Sequence, residues 1–220
     1  MKFVIPKREL LVKSYIGDSV DLYYSKITPI RSIILSRVTK TLSLLNKKRY
    51  SKILEIGVGS GFTIPYLASI SNKVYATDIH SLISKLEPLL RYCKINDKVV
   101  LKKCSAEKMP FKSKSFDAII GISVLEHLKN PEIGIKEIKR VLKKEGEAVF
   151  GFPIESILNK ILFKILELVK AHEPGDHKQH AAEIIQILEK YFVIEKIEDM
   201  PKFLPKSLRL YKMVRCRAKK

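Results

Sequence analysis

Short apolar runs alternate with helical patterns along most of this 220-residue chain. Such runs are typical of buried strands, whereas apolar residues that recur every three or four positions are typical of helices. A repeated strand, helix, strand order predicts a parallel α/β sheet with helices on both faces. The predicted strands span 53–56, 73–77, 99–103, 118–122 and 148–152, and the predicted helices between them span 62–70, 81–93 and 131–143.

The two ends of the chain extend this core. A helical stripe of apolar residues over 28–46 leads into the first strand, and helical patterns recur over 155–170 and 181–190. Two last strands, predicted near 192–197 and 208–217, have no helix between them, which predicts an antiparallel pairing at that end of the sheet. We interpret 1–220 as a single domain. Its parts are an amino-terminal helical cap (1–50), a core (51–153), a helical insertion (154–180) and a final helix with strands (181–220).

Cysteine usage and segment lengths restrict the setting of the protein. Cys93, Cys104 and Cys216 lie far apart and form no Cys-x-x-Cys pair, so neither a disulfide framework nor a cysteine zinc site is expected. The amino terminus has three apolar residues before Pro6 and Lys7, too few for a signal-peptide core. No stretch offers the roughly 20 uncharged residues that a membrane span needs. The expectation is a soluble protein of a reducing, cytoplasmic compartment.

Positive charge is concentrated at the two ends. The net charge is +19, of which residues 1–50 and 202–220 each carry +8, while residues 51–201 carry only +3. Such ends are compatible with binding to RNA or to an anionic membrane surface. Alternatively, lysine is abundant for compositional reasons, as in proteins from heat-adapted cells. No known nucleic-acid motif accompanies the lysines, which favours the compositional interpretation.

The turn after the first predicted strand carries a strong chemical signal. Residues 57–61 read Gly-Val-Gly-Ser-Gly, and a helical pattern begins just afterwards. Glycines in such a turn let the backbone approach a ligand closely and leave helix-terminal N–H groups facing it. A dinucleotide fingerprint would place its third glycine where Phe62 stands, and the Gly-Lys-Ser/Thr of a phosphate loop is absent. The turn therefore favours a ligand without phosphates.

An acidic residue closes the second predicted strand. Asp78 follows Val-Tyr-Ala-Thr and lies seventeen residues after Gly61. A carboxylate at this point of an α/β sheet lies where a ribose diol binds, and it accepts hydrogen bonds from both hydroxyls. Charged hydrogen bonds contribute about 1.5–3 kcal/mol each. This is enough to select a nucleoside.

Further motifs follow in a fixed order. They are Ser-Ala-Glu-Lys-Met-Pro-Phe at 105–111, Ser-Phe-Asp at 115–117, Val-Leu-Glu-His at 124–127, Glu-Ile-Lys-Arg-Val-Leu at 137–142 and Gly146. Together with 55–61 and Asp78, this series resembles class I S-adenosylmethionine-dependent methyltransferases of the small-molecule type, which include quinone C-methyltransferases. The resemblance covers about residues 50–153. It implies a doubly wound, mostly parallel seven-stranded sheet of Rossmann-like type, S-adenosyl-L-methionine as cofactor, and methyl transfer as activity.

The resemblance also implies a role for each matching position. Glu55 supports the glycine turn or binds the ammonium group of the cofactor. Asp78 binds the ribose hydroxyls, Ile79 packs on adenine, and the backbone of Ala106 meets the adenine edge. The family usually has Asp where this chain has Ser105, which puts an acidic contact to the adenine amino group in question. The implied cofactor-binding residues are Glu55, Gly57, Gly59, Gly61, Asp78, Ile79, Ser105, Ala106, Ile122 and Ser123.

A proton acceptor is indicated only weakly. Displacement at an activated methyl group mainly requires that the acceptor be positioned, so a dedicated base is dispensable. If the acceptor loses a proton near neutral pH, His127 is the candidate catalytic residue. Alternatively, Glu126 and His127 cap the helix that follows. Asp117 opens the fourth strand and either braces the sheet or contacts the cofactor.

The acceptor must be recognised outside the motif series. The apolar face of the helix over 155–170 predicts either a roof over an apolar pocket or a helix packed on the sheet. Tyr15, Tyr23 and Tyr24 are candidates for a lid that the amino-terminal cap contributes. The loop after the helix is a polar surface loop, a substrate-side loop or, by the spacing of its last two histidines, a metal site. Its histidines are His172, His177 and His180; we predict no metal.

Three functions stay open at this point. The first is methyl transfer to a small, apolar metabolite such as a quinone or lipid precursor. The second is RNA methylation through the basic ends, although 122–127 lacks the Asn/Asp-Pro-Pro-Tyr/Phe sequence of base amino-group methyltransferases. The third is a non-catalytic, cofactor-binding partner subunit. The predicted partner is a small-molecule substrate; RNA and a peripheral membrane contact are alternatives, and no obligate protein partner is inferred.

Overall fold

A computed structural model of the chain describes residues 4–12, 20–168 and 180–219. One sheet of seven strands forms the centre of the described chain. Its strands are β1 (Tyr50–Ile56), β2 (Ser71–Asp78), β3 (Val99–Lys103), β4 (Phe116–Ile122), β5 (Leu142–Pro153), β6 (Phe192–Met200) and β7 (Tyr211–Ala218). Their order is β3-β2-β1-β4-β5-β7-β6. The predicted doubly wound, seven-stranded sheet is confirmed.

The direction of the strands also follows the prediction. The pairs β1–β2, β2–β3, β1–β4 and β4–β5 are parallel, whereas β7 is antiparallel to both β5 and β6. The chain leaves β1 toward β2 on one side and later returns to β4 on the other side. Such a reversal opens a crevice at the carboxyl ends of the strands, where α/β proteins bind ligands.

Helices cover both faces of the sheet. They are α1 (Val20–Tyr23), α2 (Thr28–Ser43), α3 (Ile64–Ser69), α4 (Glu87–Tyr92), α5 (Pro131–Val141), α6 (Ile157–Leu168) and α7 (Ala181–Tyr191), with 3₁₀ turns at Arg8–Leu10, Ser81–Leu86, Leu125–His127 and Lys206–Leu208. Strand residues alternate between the two faces, so Ile53 packs with the side of α2, α3 and α4 and Leu54 with the side of α5 and α7. No helix among the described residues is long and apolar enough to cross a membrane.

Some element boundaries differ from the sequence prediction. The helix predicted over 81–93 is a 3₁₀ turn followed by α4, because Pro88 lacks the amide hydrogen that a continuous helix needs there. The helix predicted over 131–143 ends at Val141, and β5 begins at the next residue, Leu142. The last strand begins at Tyr211 instead of residue 208, since Lys206–Leu208 forms a 3₁₀ turn.

Candidate active site

The glycine turn connects β1 to α3 at the crevice. Gly57, Gly59 and Gly61 all have positive φ angles, of 67°, 51° and 82°, and L-residues with a side chain rarely adopt this region. An ideal Cβ on Gly57 would lie 2.6 Å from Val124 Cγ2, so that glycine is required by packing. A Cβ on Gly59 would meet nothing within 4 Å. The middle of the turn therefore presents bare backbone to open space, as a close-fitting ligand requires.

Asp78 ends β2 and holds the glycine turn in place. Its Oδ2 accepts a hydrogen bond of 2.8 Å from the Gly59 amide, and its Oδ1 accepts bonds of 2.7 Å from Ile79 and 3.3 Å from His80. The residue is 9 % exposed, so the carboxylate keeps a face toward the crevice. Each carboxylate oxygen accepts about two hydrogen bonds, so three of the four positions are occupied and one, on Oδ2, is left for a hydroxyl. The predicted ribose position thus also shapes the turn.

Glu55 lies in β1 below the turn and is 3 % exposed. Its Oε1 accepts a hydrogen bond from the Thr63 hydroxyl, while Oε2 has no hydrogen-bond partner among the described residues. Burial raises the pKa of the Glu55 carboxyl to about 8, against the Thr63 hydrogen bond and helped by the nearby Asp78 charge. A buried carboxyl with a free oxygen is suited to receive a cationic group such as an ammonium.

The adenine side is built by the ends of β2 and β3. Ile79 is 58 % exposed, which is unusual for isoleucine and leaves an apolar surface beside Asp78. The Cys104 amide donates to the Asp78 carbonyl over 2.9 Å and so fixes the loop that contains Ala106. Ser105 Oγ accepts from the Glu107 amide over 3.1 Å and so stabilises its own turn. Ser105 therefore supports this loop from within.

The end of β4 forms the next wall. Ile122 is half-buried, and Ser123 adopts a positive φ of 53°. The Ser123 amide donates to the Gly151 carbonyl over 2.7 Å, and its hydroxyl lies 2.9 Å from the Tyr211 hydroxyl. The structure thus brings the ends of β1, β2, β3 and β4 to one crevice, with all ten predicted cofactor-binding residues on them. Contact of these residues with the cofactor stays a prediction.

The turn Leu125–His127 contains a buried acid, Glu126, for which capping of the next helix was one alternative interpretation of the sequence. His127 is half-buried, and its amide donates to the Val124 carbonyl. Glu126 is only 1 % exposed, and neither of its carboxylate oxygens has a hydrogen-bond partner in the described chain. Asn130 instead caps α5, since its side-chain oxygen accepts from the Ile133 amide over 3.1 Å. The proposed capping role of Glu126 is wrong.

Two residues near Glu126, Arg37 and Tyr211, were not predicted as site residues because they lie outside the motif series. Arg37 of α2 acts electrostatically on Glu126, and its guanidinium carbon lies 6.0 Å from the centroid of the Tyr211 ring. Burial raises the pKa of Glu126 to about 8, against its own amide and the Arg37 charge. Burial also raises the pKa of Tyr211. No periodicity signals these positions, since only the fold brings α2 and β7 to the end of β4.

Other candidate residues lie away from the crevice. Asp117 accepts from the Lys52 amide and from Lys143 Nζ, each over 2.7 Å, near the amino-terminal start of β4. It therefore braces the sheet. His180 Nδ1 lies 3.2 Å from Glu155 Oε1, which connects the start of α7 to the segment before α6. His172, His177 and Tyr15 lie outside the described residues. The described residues include no group of three or more metal-ligating side chains.

The amino-terminal segment covers the glycine turn. Tyr23 stacks on Phe62 with ring centroids 3.9 Å apart, and the Val12 amide donates to the Ser60 carbonyl over 3.3 Å. Tyr24 donates to the Pro6 carbonyl. This arrangement agrees with the lid interpretation for Tyr23. In contrast, Ile157 and Ile161 of α6 are exposed, so that face of the helix is not packed on the sheet, although Asn159 between them is buried and donates to the Leu210 carbonyl.

The crevice fits S-adenosylmethionine on three observations. Bare backbone at Gly59 faces open space, an exposed Ile79 lies beside a carboxylate that retains hydrogen-bonding capacity, and a buried oxygen of Glu55 lacks a partner. The backbone at Gly59 suits the methionyl chain of the cofactor, Ile79 with the carboxylate suits the adenosine, and Glu55 suits the ammonium group. The fold and the site together define the class I methyltransferase architecture.

Comparisons with known proteins agree. Residues 54–150 match the family described as a methyltransferase domain. The chain is 28 % identical over 187 residues to the ubiquinone/menaquinone biosynthesis C-methyltransferase UbiE of Paraburkholderia xenovorans, covering 77 % of this chain and 74 % of that one. It is 26 % identical over 104 residues to a phosphatidylethanolamine N-methyltransferase of Cereibacter sphaeroides, covering 46 % and 50 %. The crystal structure of a SAM-dependent methyltransferase from Aquifex aeolicus superposes with a TM-score of 0.66 at 20 % identity, covering 84 % and 93 %.

Residues 54–150 match a methyltransferase domain, and the fold of the chain is that of a SAM-dependent methyltransferase. Both findings agree with the predicted resemblance to class I S-adenosylmethionine-dependent methyltransferases and with S-adenosyl-L-methionine as the cofactor. The chain spans 62 %, 50 % and 51 % of the length of three of its curated relatives. The methyl acceptor of this protein therefore has to be argued from its own residues.

Proposed function

We propose that this protein transfers the methyl group of S-adenosylmethionine to a small acceptor with an apolar body, such as a quinone or lipid precursor. The observation that carries the proposal is the crevice at the ends of β1, β2 and β4, where Gly59, Asp78, Ile79 and Glu55 each offer what the cofactor needs. Two relatives with 26–28 % identity are named for quinone and phospholipid substrates, which supports an acceptor of this kind.

The protein's contribution to such a reaction is positioning. When bound, the cofactor supplies a methyl group on a positively charged sulfur. Asp78 and the glycine turn would hold the ribose and methionyl portions, and Glu55 would receive the ammonium group. The end of β4 would hold the acceptor, and Tyr23 over Phe62 would limit the entry of water. Holding two reactants in line contributes about 7–11 kcal/mol to such a step.

RNA is the second candidate acceptor, because of the basic ends. The cations of β7 argue against it: Lys212 Nζ lies 2.6 Å from Asp199, and Arg215 and Arg217 lie 3.3 Å and 2.7 Å from Glu195. Cations that already pair with neighbouring carboxylates are less available to phosphates. A peripheral membrane contact is compatible with the same charge, and a cytoplasmic location remains the proposal.

Transfer of a labelled methyl group tests the function. The purified protein is incubated with methyl-labelled S-adenosylmethionine and separate extracts of total RNA, lipids and small metabolites. We expect label in the lipid or small-metabolite fraction. Label in RNA alone would replace the proposed acceptor class. Binding of S-adenosylhomocysteine by calorimetry without transfer to any fraction would indicate a non-catalytic subunit.

A further inference from the structure

Four side chains from separate parts of the chain meet at the carboxyl end of β4. Arg37 comes from α2, Ser123 and Glu126 follow β4, and Tyr211 begins β7; we call them the β4-end cluster. The Ser123 and Tyr211 hydroxyls lie 2.9 Å apart, and Arg37 acts electrostatically on both Glu126 and Tyr211. Val124 joins the cluster to the glycine turn, since a Cβ on Gly57 would lie 2.6 Å from it. The cluster is therefore a wall of the same crevice.

Glu126 is the member that packing does not explain. Buried polar side chains nearly always have hydrogen-bond partners, because an unpaired buried carboxyl destabilises the fold. Glu147, a buried acid in β5, follows this rule: it accepts hydrogen bonds from the Asn46 amide and the Tyr50 hydroxyl. Glu126 has no such partner among the described residues. A carboxyl kept in this state beside a ligand crevice is a candidate for contact with a ligand.

The composition of the cluster selects among acceptors. Glu126 accepts a hydrogen bond or a proton, whereas Arg37 is a permanent cation and a donor. Together they suit one oxygen that first donates a proton and then carries negative charge. An alkylammonium acceptor would have to lie near the Arg37 cation and lose its charge before it could attack. A phenolic or enolic hydroxyl has neither disadvantage.

We propose that the β4-end cluster binds a hydroxyl group on an aromatic or enolic acceptor and that Glu126 takes its proton. This inference rests on the proposed methyltransferase function and names its substrate class. The O–H bond of the acceptor breaks, its proton bonds to a Glu126 carboxylate oxygen, and its electron pair stays on the acceptor oxygen. That pair, or the ring carbon next to it, then bonds to the methyl group, whose bonding pair to sulfur returns to sulfur. If carbon is methylated, the C–H bond at that carbon then breaks, its electron pair restores the aromatic ring, and its proton passes to solvent water.

The surrounding charges give this step a pH dependence. Arg37 from α2 acts on Glu126, and Glu126 acts on Tyr211 from β7, which also feels Arg37 and Tyr23 from α1; His127 follows Glu126 in the same turn. Burial raises the pKa of Glu126 to about 8. The proton-accepting form therefore becomes more populated as pH rises through that range. Turnover is expected to rise with pH in the wild type and to lose this rise in Glu126→Gln.

Binding of three naphthalene probes tests the inference without turnover. Calorimetry measures the affinity of 1-naphthol, naphthalene and 1-naphthylmethylamine for the protein saturated with S-adenosylhomocysteine. At pH 8.5, where Glu126 is largely ionised, the wild type should bind 1-naphthol at least about tenfold more tightly than the other two probes, because charged hydrogen bonds have this strength. Glu126→Gln should reduce the affinity for 1-naphthol toward that for naphthalene. Equal affinities in the wild type, or tighter binding of the ammonium probe, would overturn the inference.

Control variants distinguish failure of this inference from failure of the proposed methyltransferase function. Glu147→Gln changes the buried acid at the far edge and should leave the 1-naphthol affinity unchanged. Ser123→Ala keeps the cluster's charges and should weaken 1-naphthol only about two- to fivefold, as loss of a neutral hydrogen-bonding neighbour does. If it abolishes 1-naphthol binding while Glu126→Gln does not, Glu126 is not the binding group. If S-adenosylhomocysteine itself fails to bind the wild type, the proposed function fails instead of this inference alone.

Discussion

Glu147 and Asp117, near the starts of the parallel strands, differ in hydrogen bonding from Glu55 and Glu126, near the ends of these strands. We call these two regions the amino-terminal and carboxyl-terminal edges of the sheet. At the amino-terminal edge, Glu147 accepts from the Asn46 amide and the Tyr50 hydroxyl, and Asp117 accepts from the Lys52 amide and from Lys143. At the carboxyl-terminal edge, Glu55 leaves one oxygen and Glu126 leaves both without a partner in the described part of the chain.

This difference separates stability from function within one sheet. The acids of the amino-terminal edge connect strands and loops that must stay together. Glu55 and Glu126 at the carboxyl-terminal edge weaken the isolated protein, since burial disfavours their charge and too few donors compensate, whereas Asp78 at the same edge accepts three hydrogen bonds. Acids that the fold does not use are available to ligands. Substitutions at the amino-terminal edge should therefore change mainly the free energy of unfolding, and substitutions at the carboxyl-terminal edge mainly the affinity for ligands.

The largest effect is expected at the amino-terminal edge. Glu147→Ala removes the acceptor for the buried Tyr50 hydroxyl, which costs about 1–3 kcal/mol when left unpaired, and for the part-buried Asn46 amide, whose hydrogen bond contributes about 0.5–1.5 kcal/mol. The free energy of unfolding should fall by roughly 1.5–4.5 kcal/mol in denaturant titrations. The affinity of any remaining folded protein for S-adenosylhomocysteine should stay unchanged. A loss of affinity with normal stability would break the comparison.

The second effect is a pH dependence with opposite signs at the two edges. Burial raises the folded-state pKa of Glu126 to about 8, above its unfolded value of 4.5, so its stabilising effect is lost as pH rises between these values. The wild type should therefore lose about 2–4 kcal/mol of unfolding free energy, relative to Glu126→Gln, as the pH is raised from 5 to 8.

Asp117 supplies the contrasting sign. Burial favours its neutral form, but the hydrogen bonds from Lys143 and the Lys52 amide outweigh this and lower the pKa of the carboxyl. Its stabilisation is therefore present above the unfolded pKa and lost as pH falls. Asp117→Asn should reduce stability at neutral pH and converge with the wild type in acid. Parallel pH curves for the two variants would contradict the proposed difference.

A third prediction concerns ligand affinity. Asp78→Asn keeps the shape of the side chain and one acceptor oxygen but removes the charge. The affinity for S-adenosylmethionine should weaken by about 1.5–3 kcal/mol in calorimetry, the strength of a charged hydrogen bond. Asp117→Asn, the matched change at the other edge, should leave the affinity unaltered. Equal losses in both variants would show a general effect of charge.

The fourth prediction uses the open space at Gly59. Gly59→Ala adds a Cβ that meets no protein atom within 4 Å, so the apoprotein pays only the left-handed backbone strain of about 1–2 kcal/mol. Cofactor affinity should nevertheless fall, because the methyl group occupies the ligand's approach. Gly57→Ala, whose Cβ would lie 2.6 Å from Val124, should lose more stability. Normal cofactor binding by Gly59→Ala would move the ligand away from the turn.

The smallest effect is expected outside both edges. Lys212, Arg215 and Arg217 pair with Asp199 and Glu195, and partly exposed ion pairs contribute about 0–1 kcal/mol each. Neutralising the three together should change RNA affinity and its salt dependence little, since these charges are already compensated. Filter binding across a salt series measures both. A clearly flatter salt slope in the triple variant would favour an RNA acceptor.

Sequence patterns predicted the parts of the fold that depend on neighbouring residues. The alternation of strands and helices and the antiparallel end both follow from local spacing, and the glycine turn followed by Asp78 indicates where a ligand binds. Local exceptions were missed for physical reasons. Apolar spacing predicts one continuous helix where Pro88 divides it into a 3₁₀ turn and α4. The cap of α5 is Asn130 and not Glu126.

The residues that we propose to bind the methyl acceptor are brought together by contacts between distant parts of the chain, so the sequence alone did not predict them. Arg37 and Tyr211 are 174 positions apart and meet only because α2 and β7 both pack beside β5. Sequence reasoning placed weight on His127, since its ordinary pKa lies near neutrality. Burial of the preceding residue, Glu126, is what led us to propose it as the proton acceptor, and burial is a property of the whole fold; the role of His127 stays a prediction.

The reversed direction of β7 affects how this site is assembled during synthesis. Because β7 runs against the other strands beside β5, its first residue lies at the edge where β5 ends, and Tyr211 there meets Ser123. Residues 50–153 contain all ten predicted cofactor-binding residues and are synthesised before Tyr211. The nascent chain can therefore acquire a cofactor pocket while its acceptor wall is still incomplete. Ligand capture by the growing polypeptide would precede the arrival of the last strand.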